Sequence, residues 1–426
     1  MKTLRFDDPA LAELDRRAVP GDEVREAVAG IIDQVRSGGD EALVSLTKKF
    51  DQADLSGGLW VSEEEFEQAR AAIDPRTKDA VEATLRNITF FASKSLRQDW
   101  SELNEQGAEV GERFVPFERV GCYVPGGKAP LVSTALMTAG FAGAAGVKEI
   151  MAATPCGPDG SVNPELLYAL HAAGVREVLK VGGAQGVAAM ALGTESVRPV
   201  QKVVGPGNRF VVEAKRQLVG AISIDLLPGP SEIMVLADET ARADYVAADL
   251  LGQAEHGGDS VIGFVTTSPT LLEAVLGEVE VQAAKLSRGD YLQEVLSGGA
   301  FAILVDDLEQ GVKVVNDFSP EHLSLVVADA EQWLPRILTA GAIYVGNDSP
   351  VAVGDFLAGP SHTLPTGGSG KSFSGLRADQ FQRRISVVKL DKAAVAKSVE
   401  VVDEFSRIEG LDAHGASARI RVSGER

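Results

Sequence analysis

The chain has 426 residues, enough for two or three domains that each bury a core. It is 45% hydrophobic and 24% charged with a formal net charge of -20, which argues against nucleic acid or an anionic membrane as partner, since phosphates would meet repulsion over most of the surface. Two cysteines, Cys122 and Cys156, cannot form a disulfide framework and lack zinc-finger spacing; an N-terminus without an apolar segment, and no apolar run of ~20 residues anywhere, predict a cytoplasmic protein.

Residues 1–118 read as helical and charged, with apolar periodicity over 24–35 and 78–103 and a loop and helix start at Ala72-Ile-Asp-Pro-Arg76. From Arg119 the texture changes. Short apolar runs at 119–124, 148–153, 177–181 and 202–204 alternate with Gly/Ala-rich helical stretches, the rhythm of a parallel sheet with helices on its faces. These strands end in the glycine or proline turns Pro125-Gly-Gly, Thr154-Pro, Gly182-Gly-Ala-Gln185 and Gly205-Pro-Gly-Asn208, where open α/β sheets take ligands. None of these turns is the full GxGxxG fingerprint of a dinucleotide site. The run Gly140-Phe-Ala-Gly-Ala-Ala-Gly146 reads as helix packing.

A second unit of the same kind starts near Ile233, with strands expected at 233–237, 261–266, 301–305, 324–327 and 342–345. The C-terminal piece differs. A strand at 385–390 precedes Asp391, a cap for a helix whose apolar positions Val395, Val399, Val402, Phe405 and Ile408 form one stripe. One strand and one helix cannot bury both faces alone, so this piece packs on the main body or is lent to another subunit.

The polar motifs gather late in the chain. His256, His322, His362 and His414 all lie beside carboxylates or amides, whereas His171 sits in a helical run and reads as structural. Gln253 and His256, three apart at the end of a helix 243–255, share one face and offer an amide and an imidazole suited to zinc. A capping histidine near a helix C-terminus explains the pair equally well. Asp355 and His414 would complete a four-ligand set if the chain brought them together. Glu321-His322 couples a carboxylate to an imidazole, a pair able to activate water and move protons. The competing reading of Ser319-Pro320-Glu321 is a helix N-terminus, with Ser319 as cap and Pro320 in the first position. Cys122, with no histidine near it in sequence, reads as a buried apolar residue.

Taken together, Val120-Gly-Cys-Tyr-Val-Pro-Gly-Gly127, Gly182-Gly-Ala-Gln185, Gly205-Pro-Gly-Asn208 with Glu213-Ala-Lys-Arg-Gln217, Gly229-Pro-Ser-Glu232, Gln253-Ala-Glu-His256, Pro320-Glu-His-Leu323, Gly354-Asp355, Gly359-Pro-Ser-His362-Thr-Leu-Pro-Thr366 and Glu409-Gly-Leu-Asp-Ala-His414 resemble, in order, the motifs of the histidinol dehydrogenases. The resemblance implies an α/β fold of two incomplete Rossmann-like parallel-sheet domains with small N- and C-terminal extensions forming a dimer. The expected division is an extension over 1–23, a first domain of 24–118 plus 233–372 carrying metal and catalytic residues, a second over 119–232 on the NAD side, and a dimerisation tail over 373–426. It implies one Zn2+ per subunit on Gln253, His256, Asp355 and His414, and NAD+ contacts at Tyr123, Gln185 and Asn208. Substrate contacts would be Ser231, His322, His362 and Glu409 with the metal ligands, and Glu321 and His322 would be the acid–base pair. The reaction implied is the four-electron oxidation of L-histidinol to L-histidine through an aldehyde-level intermediate. In this family the tail reaches into the partner's site, so Glu409 and His414 would act in trans. Gly257-Gly-Asp-Ser260 departs from the commoner ending of its motif, and the segment between Asn208 and Ser231 looks slightly short; neither touches a carried-over residue. Competing expectations are a related zinc/NAD dehydrogenase of another small alcohol such as a sulfonated diol, a zinc hydrolase, and a non-catalytic metal-binding protein.

Overall fold

The computed structural model describes residues 1–14, 21–126, 130–287 and 289–423, so Gly127 of the first motif and part of the expected 1–23 extension lie outside the described residues. The chain opens on β1 (Lys2–Arg5), which pairs in parallel with residues 301–304. The helical reading of 1–118 misses this strand because it is a charged edge strand in which Leu4 alone is buried. Three helices come next, α1 (Asp22–Phe50), α2 (Glu63–Ala72) and α3 (Pro75–Ser95). Ser62 and Glu65 form a reciprocal capping box on α2, and Asp74 caps α3 with Pro75 at its first position, as expected for 72–76. The helix expected over 78–103 stops at Ser95, where Leu96 turns extended. Beyond it the chain forms a hairpin of β2 (Trp100–Leu103) and β3 (Glu109–Pro116), paired antiparallel.

The first parallel sheet comprises β4 (Arg119–Tyr123), β5 (Glu149–Ala153), β6 (Glu177–Leu179), β7 (Lys202–Val204) and β8 (Ser223–Ile224), in the spatial order β6-β5-β4-β7-β8. Its connections are α4 (Val132–Ala144), α5 (Pro164–Ala172), α6 (Gly183–Leu192) and α7 (Arg209–Leu218). The expected helix packing of the glycine run is realised: a Cβ on Gly140 of α4 would sit 3.1 Å from Ile88 of α3. The faces of α1 to α3 join this sheet's core, Val28, Ile32, Phe66 and Ile88 meeting a cluster that includes Phe141, Leu170 and Met190. The expected division groups 24–118 with 233–372 instead; α3 reaches that half through Thr84 Oγ1 and Asn87 Nδ2, which donate to the carbonyls of Phe356 and Leu357.

The second parallel sheet comprises β9 (Glu232–Ala237), β10 (Val261–Thr266), β11 (Ala300–Leu304), β12 (His322–Val326) and β13 (Ala342–Val345), with β1 on its edge, in the order β1-β11-β10-β9-β12-β13. Between them run α8 (Ala243–Ala254), α9 (Pro269–Ala283), α10 (Gly289–Glu294), α11 (Leu308–Phe318) and α12 (Ala330–Trp333), and α13 (Val351–Phe356) lies after β13. Apolar clusters cover both faces of this sheet, as strands buried on two sides require.

The tail is β14 (Gln382–Lys389), α14 (Lys392–Glu409) and α15 (Asp412–Arg419). Asp391 caps α14 as expected, accepting from Ala394 N at 2.7 Å. β14 pairs antiparallel with β3, so the tail is anchored on its own chain, yet Val388, Phe405, Ile408 and Ile420 remain 57–66% exposed. Among the described residues no helix is long and apolar enough to cross a membrane.

Candidate active site

Glu321 and His322 stand at the start of β12, next to Glu232 at the start of β9; His322 lies in register with Ile233 across the sheet. This is the amino-terminal edge of the second sheet, opposite to the edge where open α/β sheets usually bind. The helix-start reading of Ser319-Pro320-Glu321 is overturned. Ser319 instead ends α11 in a left-handed conformation (φ 58°), its N–H donating to Val315 O at 2.7 Å and its Oγ to Thr339 O at 2.6 Å. The chain then turns straight into β12.

Four contacts fix the pair. Glu321 Oε2 accepts from Glu232 N at 2.8 Å and lies 3.5 Å from His322 Nδ1; Nδ1 faces Glu232 O at 2.9 Å, and Nε2 faces Asp355 Oδ1 at 3.2 Å. Both ring nitrogens thus meet oxygen acceptors, the pattern that satisfies an imidazolium. Burial opposes that charge, but the Glu321 and Asp355 carboxylates outweigh it and hold the His322 pKa well above its usual value. For Asp355 burial works the other way, and hydrogen bonding and attraction from His322, His362 and His256 keep its pKa below the usual carboxylate value.

The end of α8 supplies the next residues. Gln253 is buried, His256 is exposed just past the helix, and Gln253 Nε2 lies 3.1 Å from His256 Nδ1. Imidazole, carboxylate and amide are the donor chemistry of a borderline cation such as zinc, so His256, Asp355 and Gln253 fit part of such a site. It is incomplete within one chain: among the described residues no three His, Cys, Asp or Glu side chains converge as a cation cage. His414 and Glu409 are exposed on the tail, outside this cluster's hydrogen bonds.

His362 joins from another direction. Its Nδ1 lies 3.1 Å from the backbone oxygen of Asp355 and its Nε2 2.9 Å from Thr134 Oγ1, at the start of α4. Burial lowers its pKa against the pull of the Asp355 carboxylate. The neutral ring with hydrogen on Nδ1 then donates to the carbonyl and accepts from the threonine.

The residues expected at NAD+ lie at the opposite, carboxyl edge of the first sheet. Tyr123 ends β4, Gln185 is buried in the first turn of α6, and Asn208 is exposed and caps α7, its Oδ1 accepting from Phe210 and Val211 N–H at 3.0 and 3.2 Å. Tyr123 Oη accepts from Gly183 N at 2.9 Å. At Gly183 (φ 63°) and Gly205 (φ 116°) a Cβ would collide with the Gln185 amide and the Tyr123 carbonyl respectively, so both turns need glycine for the chain's own close packing. Ser231 is half-buried just before β9, its carbonyl engaged by Val261 N. Cys122 is fully buried and burial pushes its thiol up to about 12, so it is inert as expected. His171, the structural histidine, packs its ring against Phe66.

Four residues at the site carry no role in the sequence expectations: Thr134, Glu232 through its backbone, Tyr344, whose ring lies 6.0 Å from that of His322, and Asp249. Asp249 was open to detection, since 249, 253 and 256 follow helical spacing on one face of α8.

The chain matches the family model described as Histidinol dehydrogenase over residues 14–422. It is 41% identical to the histidinol dehydrogenase of Syntrophotalea carbinolica over 99% of both chains, and 42% identical to that of Geobacillus kaustophilus over 94% of both. The crystal structure of histidinol dehydrogenase from Elizabethkingia anophelis is similar with a TM-score of 0.95 at 33% identity, covering 99% of this chain and 98% of that one.

Proposed function

Because the chain belongs to the histidinol dehydrogenase family and is an oxidoreductase, we propose that it oxidises L-histidinol to L-histidine with two NAD+ and one Zn2+ per subunit, in the cytoplasm. The observation that carries this reading is the meeting of Glu321, His322 and Asp355 beside the Gln253–His256 pair at one sheet edge. When bound, Zn2+ supplies a fixed positive charge that orients the amine and imidazole of the substrate. Gln253, His256 and Asp355 would hold it with His414 of a second copy, whose Glu409 would also meet the substrate. A donor set with three of its four members in one chain and the exposed apolar tail support a homodimer in which sites are shared.

The chain's own residues then divide the work. His322, with Nδ1–H held on Glu232 O, would take the hydroxyl proton at Nε2 once Asp355 has turned from the ring to the cation and left the imidazole neutral, while Tyr123, Gln185 and Asn208 would hold the NAD+ that supplies the hydride acceptor. Glu321, held through Oε2 by Glu232 N–H, takes a proton from water at Oε1 as that water adds to the aldehyde. After His322 has released its first proton to solvent, it would take a hydroxyl proton of the hydrate while a second NAD+ serves as hydride acceptor, and the resulting acid loses its remaining proton to give the carboxylate. Ser231 and His362 would fix the substrate on the remaining sides, and holding it so can lower the barrier by several kcal/mol.

Removal of metal with a chelator should abolish NADH formation from L-histidinol, and added zinc should restore it. Full activity in a protein shown to be metal-free would contradict the reading. The sister-dehydrogenase alternative predicts faster NADH formation from a sulfonated diol than from L-histidinol in the same assay.

A further inference from the structure

The ion pair between Lys215 and Asp225 has no task in the chemistry above, yet both side chains are 0% exposed. Lys215 stands on the second turn of α7, and Asp225 directly follows β8. They grip a single residue from both sides: Gly205 N–H donates to Asp225 Oδ2 at 2.7 Å, and Lys215 Nζ donates to Gly205 O at 2.9 Å. Gly205 opens the turn that delivers Asn208, and its positive φ of 116° presses it against the Tyr123 backbone, where any Cβ would collide with the carbonyl oxygen. Tyr123 in turn receives the N–H of Gly183, two residues before Gln185. One buried charge pair therefore underlies the turns bearing Tyr123, Gln185 and Asn208. Fold stability gives little reason to bury two charges, because their desolvation cost offsets most of their attraction and an apolar pair of similar volume does as well. Fixing the donor and the acceptor of one backbone unit is something an apolar pair cannot do.

We propose that Lys215 and Asp225 are positioning residues for the dinucleotide, clamping Gly205 so that the Gly205–Asn208 turn is already shaped to receive it. This rests on the NAD+ reading above. The test is calorimetric titration of the intact protein with NADH and, separately, with L-histidinol. Lys215→Met/Asp225→Leu fills the same space without charge and frees both backbone groups of Gly205, and NADH should bind about tenfold more weakly, the scale of one well-placed hydrogen bond. Lys215→Met/Asp225→Asn keeps an acceptor for Gly205 N–H and should recover most of the loss, leaving about a threefold weakening. L-histidinol affinity should not move in either variant. Wild-type NADH affinity in the first variant, or equal loss for both ligands, would overturn the proposal. Should the first variant fail to fold, the second decides alone, unchanged NADH affinity counting against the clamp. If the parent protein binds no NADH, the NAD+ reading itself fails and the clamp with it; normal binding by the parent and by both variants removes only the clamp.

Discussion

Thr134 Oγ1 and His362 Nε2 lie 2.9 Å apart, 228 residues distant in sequence, and join the start of α4 at the carboxyl edge of the first sheet to the cluster at the amino edge of the second. The hydroxyl is therefore a tie between the two halves that the proposed chemistry must bring together. Removing it as Thr134→Val leaves a mostly enclosed imidazole nitrogen without its partner. The expected cost is about 1–2 kcal/mol in denaturant unfolding, with KM for L-histidinol raised several-fold, while Thr134→Ser retains both. An unchanged KM in the valine variant would show that His362 needs no such tie.

Glu321 and His322 touch each other but answer to different partners, which permits a division of labour. His322→Ala should remove the first oxidation. Glu321→Gln keeps an oxygen for Glu232 N–H and should spare alcohol-to-aldehyde turnover more than aldehyde-to-acid turnover. Rates measured separately with L-histidinol and with the aldehyde decide this, and equal losses in both steps would contradict it.

Asp249 faces Ser324 from α8, and burial raises its pKa to about 6. A raised carboxyl favours its protonated form in the fold, so its contribution is present below the unfolded value near 3.8 and is lost as pH rises through about 6. Asp249→Asn should thus match the metal-free parent in titration-linked stability below pH 4 and gain on it up to pH 6. Above that the advantage should hold at about 1 kcal/mol, allowing for the partial exposure of the group. Unfolding midpoints across that range check it; a gap that widens above pH 7 instead would point to another group.

Shared sites predict complementation. A mixture of inactive His322→Ala and inactive His414→Ala chains, unfolded and reassembled together, should regain activity in hybrid dimers, which carry one intact site each and so restore about a quarter of all sites. Sites completed within one chain would leave the mixture dead.

Much of this architecture was legible because short apolar runs punctuated by glycine turns leave few alternatives to parallel strands: 202–204, 261–266 and 342–345 fall where the sequence put them. β1 was not, since a charged edge strand carries only one buried side chain to betray it, and its partner, β11, lies some 300 residues further along the chain. Residues 100–103 have a helical texture, but their extended form comes from pairing with β3, which is held in turn by β14, a contact that no local pattern encodes. At the site, Asp355 meets the Glu321-His322 pair, whereas its motif had placed it only in a metal set with Gln253, His256 and His414. His414 did not join them, because the tail that carries it is tied to β3 and leaves it exposed on α15.

The most direct measurement is the count of NADH formed per L-histidinol consumed to completion by the zinc-loaded protein. Two acid–base groups at one site, each serving one oxidation, predict two. A count of one with aldehyde accumulating, or no NADH at all, would contradict the account.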